Sequence, residues 1–223
     1  MINYNIIGSS SKGNAIIIEN KLLLDCGVSY KRLKKYLKDI KLIFISHVHK
    51  DHLLPTSIKQ IAYNYPNIKY ITGSDDVIYK LSKCGVKPFQ MFRLKSNVWY
   101  DLGIIKVRLE EVTHDVPNHC LKWKYNNEKG IYIVDTANVD NIKAKNYDLY
   151  LIESNYNEEI LNEHIRNCED KNQLIYLQRV PYTHLSFNKA NSFLVENMGD
   201  NSNFEYIHKS NYNFEEGIEN ENI

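Results

Sequence analysis

The segment His47-Val48-His49-Lys50-Asp51-His52 contains three histidines and an aspartate within six residues, and it comes shortly after the apolar run Leu42-Ile43-Phe44-Ile45. A continuous apolar run of this kind is typical of a strand that is covered on both faces. Residues two apart in an extended chain point the same way, so the first two histidines can converge on one metal ion. The aspartate and the third histidine, beyond a turn, can serve a second ion. Imidazole and carboxylate ligands together suit zinc, with manganese or iron as alternatives.

Other strand-like runs also end at polar residues that could belong to such a site. Runs over residues 22–24, 104–112, 131–134, 149–152 and 204–207 lead towards Asp25, His114, Asp135, Glu153 and His208. Helical spacing predicts helices after Ser29, over 158–166, and over 187–196 with Ser186 as its cap. Strands with helices between them predict mixed α/β layers.

Length and composition are those of an ordinary globular protein. The chain has 223 residues, of which 43% are hydrophobic and 25% charged, values that exclude disordered and collagen-like classes. We predict one domain over residues 1–212 and an acidic, Asn-rich, frayed tail over 213–223. The N-terminus does not resemble a secretory signal, no apolar run could span a membrane, and the four cysteines are scattered, which predicts a cytoplasmic protein with reduced thiols.

The charge distribution bears on the size of the substrate. A formal net charge of +1 provides no global attraction for a long polyanion. Basic residues cluster on one face of the helix predicted after Ser29, opposite its apolar stripe: Lys31, Arg32, Lys34, Lys35 and Lys38. We interpret them as a solvated helix surface, with a nucleic-acid patch as the alternative.

The histidine-rich stretch resembles the signature of the metallo-β-lactamase fold. The segments 9–14, 153–155, 183–186 and 208–211 are similar to those of its YycJ/WalJ-like branch, which is related to RNase Z. This resemblance covers nearly everything from Gly8 to about Asn213. It implies an α/β protein, namely an αββα four-layer sandwich with two mixed β-sheets.

The resemblance also implies a ligand set for two divalent metal ions, with Zn²⁺ favoured and Mn²⁺ as the alternative. The first ion would be held by His47, His49 and His114, the second by Asp51, His52 and His208, with Asp135 shared between them. Asp25 would brace the loop over residues 47–52, called the metal loop below, without binding metal. A pair of such ions suits the hydrolysis of a phosphodiester.

His184 has two competing interpretations. The RNase Z-like pattern implies that Glu153 orients His184 as the proton donor to the leaving oxygen, while His208 completes the ligands. In many enzymes of this fold a histidine in this region is itself a ligand. Asp51 counts with the catalytic residues, since its replacement by Asn should nearly abolish activity. Tyr156 stands where the branch tends to have a histidine.

Four residues are candidates for substrate contacts. Ser11, Lys12 and Asn14 lie in the loop over residues 9–14, which could offer backbone amides and a cation to a phosphate. His119 follows close behind His114 and could touch substrate, although a surface-loop histidine is the competing interpretation.

Three functions are compatible with these residues. The favoured one is a phosphodiesterase on a small cyclic nucleotide, similar to the phage anti-Pycsar enzymes, because the net charge is low and no long Gly/Lys-rich arm is present. The alternatives are a DNA or RNA nuclease and, in another class, a non-catalytic metal-binding regulator. We therefore expect a small nucleotide as partner, no membrane, and, on analogy alone, a homodimer.

Overall fold

Two six-stranded sheets lie face to face in the computed structural model, which describes residues 1–210. The boundary predicted at residue 212 and the predicted tail over 213–223 lie outside the described residues.

The first sheet is built from residues 4–93. Its strands follow one another in chain order as β1 (Tyr4–Gly8), β2 (Ala15–Ile18), β3 (Leu22–Leu24), β4 (Leu42–Phe44), β5 (Lys69–Thr72) and β6 (Met91–Arg93). The pairs β1–β2 and β2–β3 are antiparallel, whereas β3 to β6 run parallel. The sheet is therefore mixed, and its parallel strands end at one edge.

The second sheet is also mixed, and its antiparallel strands again precede its parallel strands along the chain. Its strands are β7 (Trp99–Asp101), β8 (Lys106–Val112), β9 (Asn118–Tyr125), β10 (Glu128–Ile133), β11 (Leu149–Glu153) and β12 (Asn203–Ile207). The strands β7 to β10 are antiparallel, and β10, β11 and β12 run parallel. The carboxyl ends of the last three strands consequently share one edge.

Helices cover both outer faces. They are α1 (Tyr30–Leu33), α2 (Pro55–Asn64), α3 (Asp75–Lys83), α4 (Glu158–Asn167), α5 (Lys171–Thr183) and α6 (Phe187–Asn197). Side chains alternate along the strands, so Ile16 and Ile18 enter the core between the sheets while Ile17 packs against the helical side. A third cluster joins the second sheet to α6. The layers are thus α, β, β, α, as the resemblance implies.

The helix predicted after Ser29 is shorter than its apolar spacing indicates. The helix expected after Ser29 ends at Leu33, and the chain continues in turns whose hydrogen bonds join Tyr36 N to Leu33 O and Asp39 N to Tyr36 O. These i to i+3 bonds are tighter than α-helical ones, yet Leu37 and Ile40 are buried as the apolar stripe requires.

None of the helices within residues 1–210 combines the length and apolarity needed to cross a bilayer. In the same part of the chain, all four cysteines are free thiols, and three of them are buried.

Candidate metal centre

The parallel strands place the predicted site residues at one edge of the sandwich. Asp135 follows β10, Glu153 closes β11 and His208 follows β12, while Asp25 and His47 follow β3 and β4 of the facing sheet. Side chains beyond the carboxyl ends of parallel strands are a common location for sites in α/β proteins.

Three of these strand-end residues have left-handed backbones. Their φ angles are 57° at Asp25, 49° at Asp135 and 53° at His208. Non-glycine residues rarely adopt this region, and each instance costs on the order of 1–3 kcal/mol. The rest of the fold therefore holds these backbones in place, and such strain is concentrated at functional sites.

One cluster contains His47, His49, His114 and Asp135, whose candidate ligand atoms all lie within 4.8 Å of one another. His47 Nε2 is 3.3 Å from Asp135 Oδ2. His114 Nε2 is 3.4 Å from His49 Nδ1, while His114 Nδ1 lies 2.9 Å from the Thr183 carbonyl oxygen and donates to it. That donation places the proton of a neutral His114 ring on Nδ1 and its lone pair on Nε2, the atom that faces the cluster.

A second cluster contains Asp51, His52, Asp135 and His208, within the same 4.8 Å limit. His52 Nε2 lies 2.9 Å from Asp135 Oδ2 and 3.2 Å from Asp51 Oδ2. His208 Nε2 lies 3.4 Å from Asp51 Oδ2. Asp135 is therefore common to both clusters, which is the arrangement of a carboxylate shared by two ions.

The geometry of the donor atoms favours binding of metal ions over hydrogen bonds among the side chains themselves. His47 Nε2 and Asp135 Oδ1 are buried and make no hydrogen bond of acceptable geometry among the described residues, although polar atoms lie 3.1–3.3 Å from each of them. Burying an unpaired polar atom is costly, so such atoms call for a ligand. A set of imidazole nitrogens and carboxylate oxygens suits zinc and similar divalent ions.

Burial also keeps two of the imidazoles in the form that binds metal. It lowers the pKa of His47 well below its usual range, and neighbouring His52 lowers it further. Burial likewise lowers the pKa of His114. Both rings are therefore neutral at physiological pH, and a neutral imidazole can donate its lone pair to a metal.

Asp25 braces the second cluster from below. Its buried carboxylate accepts hydrogen bonds from Ser46 N at 2.8 Å, Ser46 Oγ at 2.9 Å and the Tyr132 hydroxyl at 2.8 Å. It also lies 2.7 Å from His52 Nδ1, so Nε2 of that ring faces Asp51 and Asp135. Contacts of this kind fix the orientation and tautomer of a ligating histidine.

Glu153 and His184 form a pair beside the two clusters. His184 Nδ1 lies 2.7 Å from Glu153 Oε1, and Glu153 Oε2 accepts from Thr136 N at 3.0 Å and Leu185 N at 3.2 Å. Burial lowers the pKa of His184, but the Glu153 and Asp135 carboxylates outweigh it and raise the pKa to about 10. Both carboxylates therefore favour the protonated form of the imidazole.

The same geometry leaves the alternative for His184 open. Asp135, Glu153, His184 and His208 form a third group of candidate ligand atoms within 4.8 Å. His184 Nδ1 is 3.1 Å from Asp135 Oδ1, and His208 Nδ1 is 3.2 Å from the same oxygen. The contact with Glu153 is the shortest that His184 makes with a carboxylate.

The clusters open into a cleft of about 240 Å³. Part of its wall comes from α5, which supplies Tyr176, Arg179 and Thr183, and Asp115 adds a carboxylate 3.4 Å from the Arg179 guanidinium. Tyr176, Arg179 and Asp115 are not among the site residues predicted from the sequence. The position of Asp115 next to His114 is the one signal in the sequence that could have indicated it.

The loop over residues 9–14 only partly reaches this cleft. Ser11 lines it, whereas Lys12 lines an adjoining cleft. Asn14 is 1% exposed, and its Nδ2 lies 3.3 Å from Asp51 Oδ2 and 3.0 Å from His52 Nε2. It therefore braces the metal loop from within and is too deeply buried to bind substrate.

Two other residues lie apart from the cleft. His119 is buried on β9 and lines a separate cleft with Gly73 and Arg93, so neither a substrate contact at the metal centre nor a surface-loop histidine describes it. Tyr156 packs between Leu161 and Leu177 beneath α4 and α5. Its ring is part of a small core and does not replace a histidine that faces substrate.

Comparison with known proteins identifies similar sequences and structures. No family model matches the sequence. The chain is 26% identical over 177 residues to exodeoxyribonuclease YycJ of Bacillus anthracis, an alignment that covers 72% of this chain and 65% of that protein. The chain thus spans just under two thirds of that relative's length.

Solved structures resemble the chain over almost its whole length. The metallo-β-lactamase fold protein YhfI from Bacillus subtilis has a TM-score of 0.72 and 13% identity, covering 96% of this chain and 88% of its own. Human tRNase Z, short form, has a TM-score of 0.67 and 16% identity, covering 94% and 92%. Zn²⁺-bound PqqB from Methylobacterium extorquens has a TM-score of 0.66 and 11% identity, covering 96% and 90%. With its two mixed sheets, its outer helices and these structural relatives, the chain has the metallo-β-lactamase fold.

Proposed function

We propose that this chain is a dinuclear-metal phosphodiesterase that acts on nucleotides. The observation that carries the proposal is a pair of ligand clusters that share Asp135, beside the Glu153–His184 pair in one cleft. The proposed ligands are His47, His49 and His114 for one ion, and Asp51, His52 and His208 for the other. Zinc is the favoured metal and manganese the alternative. Two such ions supply Lewis-acid stabilisation of a phosphoryl group and activation of the attacking water.

His184 is the proposed proton donor. Its Nδ1 is engaged by Glu153, so Nε2 is the nitrogen that can deliver a proton into the cleft. As water oxygen bonds to phosphorus and the bond to the leaving oxygen breaks, that proton neutralises the departing alkoxide. Glu153 keeps the ring in the required tautomer and orientation, and such a donor contributes roughly 10²–10⁴ in rate.

Residues of α5 are proposed to position the substrate. Arg179 lines the cleft and is 65% exposed at its side chain, so its guanidinium is available to a phosphate oxygen. Tyr176 lies one turn earlier on the same face of α5 and could stack on a base.

The size of the cleft suits one nucleotide at a time. A small 3′,5′-cyclic nucleotide is one candidate, as the sequence analysis favours. The terminal nucleotide of a DNA or RNA strand is the second, supported by the similarity to an exodeoxyribonuclease and to a tRNase Z. A non-catalytic metal-binding regulator would need the ligands but would have no use for the Glu153–His184 pair at the cleft.

The test compares substrates and variants on zinc- or manganese-loaded protein. Cyclic nucleotides and end-labelled DNA and RNA oligonucleotides are incubated separately, and the products are identified by mass spectrometry. We expect His184→Ala to lower turnover about 10²–10⁴-fold while two metals per chain are retained. The matched control is His164→Ala, which changes an exposed histidine on α4.

Two results would contradict these assignments. Hydrolysis of none of the phosphodiesters by the metal-loaded protein would overturn the proposed function. Loss of one metal in His184→Ala would make that residue a ligand instead of the proton donor.

A further inference from the structure

We propose that a row of exposed cations leading away from the metal centre binds the phosphate backbone of a linear polynucleotide whose end lies in the cleft. This inference rests on the proposed function and deepens it, since it names the substrate class. The row, called the cation track below, consists of Lys12, Lys50, Arg32, Lys34, Lys35 and Lys38.

The track follows three adjoining clefts. The metal cleft shares Ser11 and Asp51 with a second cleft of about 500 Å³, to which Lys12, Lys50 and Arg32 contribute. Arg32 is in turn shared with a third cleft of about 870 Å³, which carries the remaining lysines of the track. A polynucleotide strand that leaves the metal cleft along this side therefore meets cations in the second cleft and again in the third.

The cations of the track are available to a ligand. All six side chains belong to exposed residues. Within residues 1–210, the single carboxylate contact of the track is Lys38 with Asp39, at 4.0 Å on the surface. Arg32 donates to the backbone oxygen of Ile7, which fixes its position between the two outer clefts.

The charge distribution along the chain supports a polyanionic ligand on this side. Residues 1–60 contain ten Lys and Arg but four Asp and Glu, whereas the whole chain has a net charge of +1. Two of those four carboxylates, Asp25 and Asp51, belong to the metal centre and its support. Six of those ten cations form the track, so this near-neutral protein concentrates positive charge there, where phosphates of a bound strand would release counterions.

Aromatic rings in the third cleft favour a nucleic acid over other polyanions. Tyr36 and Tyr65 line this cleft among the lysines, and both are partly exposed. Cationic grooves interleaved with aromatic rings are the usual means of holding single strands, because every base offers a face for stacking.

The experiment removes charge at the far end of the track. The variant Lys34→Gln/Lys35→Gln/Lys38→Gln changes residues remote in sequence from every proposed ligand. The matched control, Lys143→Gln/Lys145→Gln/Lys171→Gln, removes the same charge from exposed lysines that line none of the three clefts. Fluorescence anisotropy measures binding of a labelled 30-nucleotide single strand, as DNA and as RNA, to the full zinc-loaded chain over a range of salt concentrations.

We expect the track variant to bind the strand at least about tenfold more weakly at low salt, with a slope of log K against log salt that is less negative by about 2. The control should bind like the wild type. Hydrolysis of bis(p-nitrophenyl) phosphate, which is too short to reach from the metal cleft to the substituted lysines of the third cleft, should be unchanged in both variants. Weakened binding of either DNA or RNA supports the proposal.

Binding is measured without turnover, so the two proposals can fail separately. Absence of hydrolysis with track-dependent binding would contradict the proposed function alone. Unchanged binding in the track variant, or an equal loss in the control, would overturn the track. The track would also be overturned if the protein bound phosphatidylserine vesicles but neither oligonucleotide.

Discussion

Asp25 shows how a single residue outside the ligand set can control the metal centre. Its carboxylate has four donors around it: the backbone and hydroxyl of Ser46, the Tyr132 hydroxyl and the His52 ring. The left-handed backbone at Asp25 (φ 57°) turns the chain so that the side chain reaches all of them. The orientation of His52, a proposed metal ligand, therefore depends on a residue outside the proposed ligand set.

We predict that Asp25→Asn lowers zinc affinity by about 10–100-fold, because an amide offers a donor where His52 needs an acceptor. Competition with a chromophoric chelator measures the dissociation constants. The control is Tyr132→Phe, which removes one of the four hydrogen bonds and should leave zinc affinity close to that of the wild type. Wild-type affinity in Asp25→Asn would contradict the bracing role.

The sequence predicts the site residues better than it predicts their surroundings. Asp135, Glu153 and His208 each follow an apolar run, and the parallel pairing of those runs brings the three side chains to one edge. Tyr176 and Arg179 carry no such signal, since they follow no strand-like run and lie in a segment whose internal Pro181 argues against a helix. They reach the cleft because α5 packs on α4 through a small core, a tertiary contact that local sequence does not encode.

At the level of secondary-structure elements, the turn after β3 supports the metal loop, residues 47–52, through backbone contacts. Cys26 N donates to His52 O at 2.8 Å, and Asn14 N donates to Asp51 O at 2.7 Å. Gly27 completes the contact, since a Cβ there would lie 1.6 Å from the Asp51 backbone oxygen. Three segments of the chain thus interlock at a position where a side chain cannot fit.

We predict that Gly27→Ala destabilises the fold and also weakens metal binding, because the backbone of the metal loop must move away from the new methyl group. The matched control is Gly130→Ala, whose Cβ would lie 2.1 Å from the Trp123 ring in the core between the sheets. Both variants should lower the thermal midpoint, since overpacking typically costs about 1–3 kcal/mol. Zinc titration by calorimetry should show reduced affinity in Gly27→Ala alone, and equal affinities in the two variants would contradict the interlocking role.

For the whole molecule, the layered architecture follows from alternation that is visible in the sequence. Runs such as Ala15–Ile18 are buried on both faces because one face meets the other sheet and the other meets helices. The helices themselves are less predictable. The lysine-rich segment after Leu33 keeps its apolar stripe but forms tight turns, which helical periodicity alone does not distinguish from a continued helix.

The proposed metal centre contains residues from both halves of the sandwich, so metal binding should stabilise the whole molecule. Its first cluster joins His47 and His49 from the first sheet to His114 and Asp135 from the second. An ion that binds only the folded chain stabilises it by about 2.7 kcal/mol at 100 times its dissociation constant. For a chain of this length each kcal/mol raises the thermal midpoint by about 2–4 °C.

We therefore predict that chelation lowers the thermal midpoint by at least about 5 °C, and that zinc restores it in a concentration-dependent way. Asp135→Ala removes the shared carboxylate, so its midpoint should respond weakly to either treatment. The control is Asp140→Ala, an exposed aspartate in the loop after β10, which should respond like the wild type. Differential scanning calorimetry at fixed protein concentration measures all three. A wild-type midpoint that is indifferent to chelator and zinc would show that no ion bridges the two sheets, and the ligand assignments for both clusters would then be wrong.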